Sequence, residues 1–136
     1  MTSQSTGGLP PPIVVSRRDA ARLEALLDSP RWQNDRTAEA LMGELTRAEV
    51  VDDAAMPADV VGMHSRVECL DENSGEQHTL TLVYPQEADA GAGRISIMAP
   101  VGCALLGLSV GQSIDWTTPQ GRSLRLRVTA VHKAES

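Results

Sequence analysis

The stretch from Arg94 to Trp116 constrains this chain most: Arg-Ile-Ser-Ile-Met-Ala-Pro-Val-Gly-Cys-Ala-Leu-Leu-Gly-Leu-Ser-Val-Gly-Gln-Ser-Ile-Asp-Trp. It reads as strand, short helix, strand. Ile95-Ser96-Ile97 alternates apolar and polar side chains. Pro100 falls where the first turn of a helix tolerates proline, because the N–H it lacks would find no intrahelical partner there. Ala104, Leu105 and Leu106 favour helix, and Gly107 suits its C-terminal cap. Ser109 to Gly111 then turns the chain into a strand over Ser113–Thr117. An apolar helix laid over a sheet is the core of a small α+β domain.

Upstream, two helices are expected. Met1 to Pro12 is rich in Ser, Thr, Gly and Pro and reads as a disordered tail, with Pro10-Pro11-Pro12 as a stiff lead-in of polyproline type. Ile13-Val14-Val15 reads as either a short strand or an apolar staple. Ser16 with Asp19 three residues on resembles a capping box. Leu23, Leu26 and Leu27 share a face of the helix that follows, and Pro30 stops it at Asp28-Ser29. A second helix starts near Asp35 to Thr37. Its stripe is Leu41, Leu45 and Ala48 with Met42 beside it, and Asp52-Asp53 and Met56-Pro57 end it. Helices of roughly 13 to 18 residues reach about 20–27 Å. The pair forms an antiparallel hairpin, packed on the domain or protruding as a short coiled coil; the protruding form is favoured.

Asp59 to Met63 reads as a link. Ser65–Leu70 and Gln77–Tyr84 are strands joined by a polar turn with Gly75 at positive φ. Leu80, Leu82 and Tyr84 share one face of the second. Pro85 ends it, and Gln86 to Gly93 is an acidic loop. Pro119-Gln120-Gly121 turns the chain into Ser123–Val131, with Leu124, Leu126, Val128 and Ala130 inward and Arg125, Arg127 and Thr129 outward. His132 to Ser136 is a tail. The fold class is α+β: a tail over 1–12, a helical hairpin over 13–58, and an antiparallel sheet of four or five strands with one short helix over 59–136.

Chemistry is sparse. The net charge of −6 opposes binding driven by phosphate neutralisation. Cys69 and Cys103 form no metal-binding or redox pair and read as small buried hydrophobes. His64, His78 and His132 are too scattered for a zinc site. No Gly-x-Ser-x-Gly elbow occurs, and Gly91-Ala92-Gly93 lacks the Lys-Ser/Thr that a P-loop needs. No run is long and apolar enough to cross a bilayer and no leader is evident, so a cytoplasmic location is expected. Asp28, Trp32 and Asp35 stand at the hairpin tip. The two carboxylates suit either a Mg²⁺ ion or ordinary helix-end roles, and the latter is preferred. Arg122, Arg125 and Arg127 form a basic strip, either a solvated strand face or a docking edge. No catalytic, cofactor or metal residue is assigned.

Pro100-Val-Gly-Cys-Ala-Leu-Leu-Gly-Leu, with Gly111-Gln112 and Pro119-Gln120-Gly121, resembles the C-terminal domain of bacterial Gre transcript cleavage factors. Ser65-Arg66-Val67 and Gly75-Glu76 extend the match. Leu82-Val83-Tyr84-Pro85, Gly93-Arg94-Ile95-Ser96, Ala99-Pro100-Val101-Gly102 and Ile114-Asp115-Trp116 are similar to one branch of that superfamily, the regulators of nucleoside diphosphate kinase. The resemblance covers about residues 11–133. It implies an FKBP-like C-terminal domain, an N-terminal coiled coil, and binding to core RNA polymerase at the secondary-channel rim. It places the docking surface at Met98, Ala99, Pro100 and Val101. Gre factors carry a long coiled coil tipped by a closely spaced acidic pair. Here the hairpin is short and Asp28 and Asp35 do not reproduce that pair, so the cleavage role is not carried over.

Three functions compete. The leading one is a non-enzymatic regulator that occupies the polymerase channel in competition with Gre factors, acting as a monomer and meeting DNA only through polymerase. The second is an FKBP-like prolyl isomerase, disfavoured because Tyr84, Trp116 and the distant Trp32 are the chain's only aromatics of that kind. The third is a direct nucleic-acid binder, which the acidic balance opposes.

Overall fold

β-Branched residues open and close the N-terminal unit. Val14–Ser16 forms β1, Arg17–Leu27 α1, Arg36–Arg47 α2 and Glu49–Val51 β2. The computed structural model describes residues 13–117 and 121–133. The tail over 1–12, Pro119-Gln120 of the last turn and the end of the C-terminal tail lie outside the described residues. Ser16 caps α1 by accepting from the Asp19 N–H at 3.1 Å. Asp19 turns its carboxylate elsewhere, accepting from the Met63 N–H at 3.0 Å. Asp28 caps the C-terminus of α1, one turn of 3₁₀ helix spans Pro30–Trp32, and Asp35 caps α2 through the Ala38 N–H at 2.9 Å. Ala20, Leu23 and Leu27 of α1 are buried, as are Ala38, Leu41 and Leu45 of α2.

The second helix is shorter than its charge pattern suggests. It stops at Arg47, and Glu49-Val50-Val51 pairs in parallel with β1, Val15 opposite Val50. Adjacent valines lose χ1 freedom in a helix and fit a strand. The helices hold 11 and 12 residues, about 16–18 Å each, below the expected reach. Ala48 is the C-cap of α2 and no longer part of its stripe. Asp52 and Asp53 end no helix; they reach back to α1. Arg17 Nε meets Asp52 at 3.1 Å, while Asp53 takes Arg18 Nε at 3.2 Å and the Arg18 N–H at 3.2 Å. These groups are exposed, so the pairs add little stability.

The sheet comprises β3 (Arg66–Asp71), β4 (Gln77–Val83), β5 (Arg94–Ser96), β6 (Ser113–Thr117) and β7 (Ser123–His132), in the order β5-β4-β3-β7-β6. It is not wholly antiparallel: β5 runs parallel to β4, Leu82 opposite Ile95. Residues 84–93, with 3₁₀ turns at Pro85–Glu87 and Ala90–Ala92, carry the chain back so that β5 restarts in the direction of β4. The alternation of β7 breaks once. Glu68 faces Ala130 but Cys69 faces Val128, so Thr129 is the extra residue of a bulge. Beyond it the inward position passes from Ala130 to Val131, which packs on the core. The last strand also takes in His132, where a tail is expected.

The link is part of the core. Val60, Val61 and Met63 are buried, the Val61 N–H donates to Leu108 O at 2.8 Å, and Lys133 at the end of β7 donates to the Val60 carbonyl. Leu23 and Leu41 of the hairpin belong to the same apolar cluster as Leu82, Leu105 and Leu126. The hairpin shares its core with the C-terminal part, α2 meeting the helix Pro100–Leu105, rather than projecting freely.

Asp71 pins the β3–β4 turn to β7. Its carboxylate accepts from Ser74 Oγ at 2.6 Å, the Arg125 N–H at 3.1 Å and the Asn73 N–H at 3.2 Å. The Ser74 bond chiefly, helped by the backbone donors, holds its pKa below the ordinary carboxylate value. A lowered native pKa gives stability that is present above the unfolded value of about 4 and lost as pH falls through the native value. Urea midpoints should fall between pH 5 and pH 2.5 by less in Asp71→Asn than in the parent chain. Equal losses would show that Asp71 does not carry this proton linkage.

Candidate functional site

The helix that organises the C-terminal part is α3, Pro100–Leu105, with Ala99 as N-cap and Pro100 in the first turn. Val101, Leu105 and Leu106 turn into the core. Gly102 lets the helix lie against β5: a Cβ there would stand 2.0 Å from the Ser96 carbonyl oxygen. Gly107 ends the helix at φ +82°, where Ile13 packs so closely that a Cβ would meet it at 2.4 Å.

The expected docking residues separate. Met98 and Val101 are each 7% exposed and belong to the interior. Ala99 is half-buried and Pro100 exposed. Ala104, one helical turn beyond Pro100, is exposed on the same side, and Cys103 is half-buried. The surface that α3 offers is therefore Ala99, Pro100, Cys103 and Ala104. Helical spacing from Pro100 was the signal for Cys103 and Ala104. A mainly apolar groove of about 580 Å³ continues this face, lined by Ile13, Val14, Cys103, Ala104 and Leu108 with Glu44 at its edge.

The two thiols differ in access. Cys69 is 1% exposed, and burial pushes its pKa up to about 11. Burial, with Glu44 nearby, also raises that of Cys103. In the folded chain a maleimide should modify Cys103 first, with Cys69 reacting only after urea unfolding. Mass spectrometry of the native protein checks this; prompt labelling of both would contradict the packing of β3.

At the hairpin tip, Asp28 is exposed at the end of α1, and Asp35 is committed to the Ala38 N–H. Trp32 is half-buried against the core, with the Arg31 guanidinium 4.9 Å from its ring centre. Trp32, Leu27, Ala38 and Met42 line a pocket of about 330 Å³. Among the described residues no group of three or more His, Cys, Asp and Glu side chains is placed to hold a metal ion.

The arginine strip is matched by acid. Arg122 meets Glu76 at 2.8 Å, Arg125 meets Asp115 at 3.0 Å and Glu72 at 3.4 Å, and Arg127 meets Glu72 at 3.6 Å. A cleft of about 410 Å³ at the hairpin base carries charges of both signs, Arg18, Arg22 and Lys133 with Asp19 and Asp53. There Arg18 is paired with Asp53, and Lys133 lies near Asp19 and Asp59. Beside it His64, at φ +65°, places Nε2 2.8 Å from Glu87 and its ring against Tyr84. The His64 contact first, then the Tyr84 N–H, holds the Glu87 pKa below its ordinary value. Tyr84 itself is buried in the core, which raises its hydroxyl pKa to about 12. His132 of β7 pairs with Glu68 of the neighbouring β3 at 2.5 Å.

The described residues thus form a short helical hairpin that shares a core with a mixed five-stranded sheet, with Pro100 and Ala104 of α3 at the surface. Residues 56–133 match the C-terminal domain of the transcription elongation factors GreA/GreB, and residues 11–51 match the Rnk N-terminus. The chain belongs to the Gre family, in its branch of regulators of nucleoside diphosphate kinase. It is 43% identical over 118 residues to the "Regulator of nucleoside diphosphate kinase" of Escherichia coli K12, covering 87% of each chain. It is 46% identical over 76 residues to transcription elongation factor GreA of Rhodospirillum rubrum, covering 56% of this chain and 48% of that one. In three dimensions it is similar to a GreA/GreB elongation factor from Nitrosomonas europaea. That match has a TM-score of 0.82 at 45% identity and covers 91% of this chain and all of the other.

Proposed function

We propose that this chain is a non-catalytic transcription regulator that binds core RNA polymerase at the secondary-channel rim and competes there with Gre factors without stimulating transcript cleavage. In this reading residues 59–136 form an FKBP-like docking domain and residues 13–58 the hairpin that enters the channel mouth. It acts as a cytoplasmic monomer, touching DNA only through polymerase. In this reading it is also associated with the regulation of nucleoside diphosphate kinase, as its relative's name indicates.

One observation carries the reading: α3 presents Pro100 and Ala104 at the surface beside a hairpin whose helices hold only 11 and 12 residues. Relatives that are transcription elongation factors support a partner in the transcription machinery, and this exposed apolar turn supplies a surface to meet it. The tip acids support occupancy rather than metal chemistry, since Asp35 is used as a cap. The neutralised arginine strip argues against direct nucleic-acid binding, and the burial of Tyr84 against an aromatic isomerase pocket.

The test is a competition pull-down with core polymerase, this protein and a Gre factor. The parent chain should bind and be displaced by the Gre factor. Pro100→Glu with Ala104→Glu should weaken binding more than about tenfold, as loss of a hot spot does, while the circular dichroism spectrum is unchanged. Charging Val101 would confuse the result, because it is buried. No binding by the parent at micromolar concentration would overturn the function. Undiminished binding by the folded double variant would overturn the surface.

A further inference from the structure

We draw no further inference here: the strongest candidate, the mainly apolar groove between β1, α2 and α3 lined by Ile13, Val14, Cys103, Ala104 and Leu108, adjoins the face already proposed for polymerase docking, and nothing in the structure shows what covers it.

Discussion

Gly102→Ala is expected to destabilise the fold by about 3 kcal/mol or more, the upper end of what overpacking costs. The added methyl carbon would lie 2.0 Å from the Ser96 carbonyl oxygen, 2.8 Å from the carbon of that carbonyl and 3.3 Å from Ile97 Cα. All three are backbone atoms, so no side chain can rotate away. The carbonyl is itself held, accepting from the Ala99 N–H at 3.0 Å. Nor can the helix retreat cheaply, because Val101, Leu105 and Leu106 would leave the core with it. Against a total stability of about 5–15 kcal/mol, such a loss populates the unfolded state visibly. Gly43→Ala in α2 is the control. Nothing lies within 4 Å of that Cβ, and alanine in a helix interior is better than glycine by about 0.5–1 kcal/mol. Urea unfolding of the two variants should move in opposite directions. A loss below about 1 kcal/mol for Gly102→Ala would mean that α3 does not sit on β5 as described.

That glycine shows where sequence reasoning stops. Pro100 and Gly107 mark the ends of α3 through local backbone chemistry, and both ends are legible from residue type alone. Gly102 lies between them with no local reason to be glycine. Its reason is a strand whose approach only the folded chain reveals. The same divide runs through the rest of the molecule. Ser16, Asp35 and Pro30 set helix ends locally, and the structure keeps them. Glu49-Val50-Val51 was hidden inside a charged helical pattern, because its partner β1 is distant in sequence. The direction of β5 and the bulge at Thr129 are likewise long-range pairings. At the face proposed for docking, the resemblance pointed to Met98, Ala99, Pro100 and Val101, of which only Ala99 and Pro100 reach the surface. Periodicity could not tell that Met98 and Val101 point inward, because a helix of six residues shows too little repeat to fix its apolar side.

Leu23→Ala should cost about 2–5 kcal/mol and should do so in a single transition. Leu23 is 0% exposed on α1, inside a cluster that runs from Leu41 of α2 through Val61 of the link to Leu82 and Leu105 of the sheet domain. If the hairpin were an independent arm, the loss would melt the hairpin alone. With one shared core, hairpin and sheet should unfold together. Trp32 fluorescence in a Trp116→Phe background follows the hairpin, and far-ultraviolet circular dichroism follows the chain as a whole. Coincident curves, both shifted, are the expected result; a separate early transition from Trp32 would refute the shared core. The outcome bears on the proposed function through geometry. The β1–β2 pairing closes the hairpin base, the Asp19 carboxylate on the Met63 N–H ties that base to the link, and Lys133 on the Val60 carbonyl ties the link to the end of β7. In the proposed function, a hairpin held in this way keeps a set orientation to the face that carries Pro100 and Ala104. With one shared core, Leu23→Ala should keep both polymerase binding and competition with a Gre factor at temperatures where the chain stays folded, and lose the two together where it unfolds.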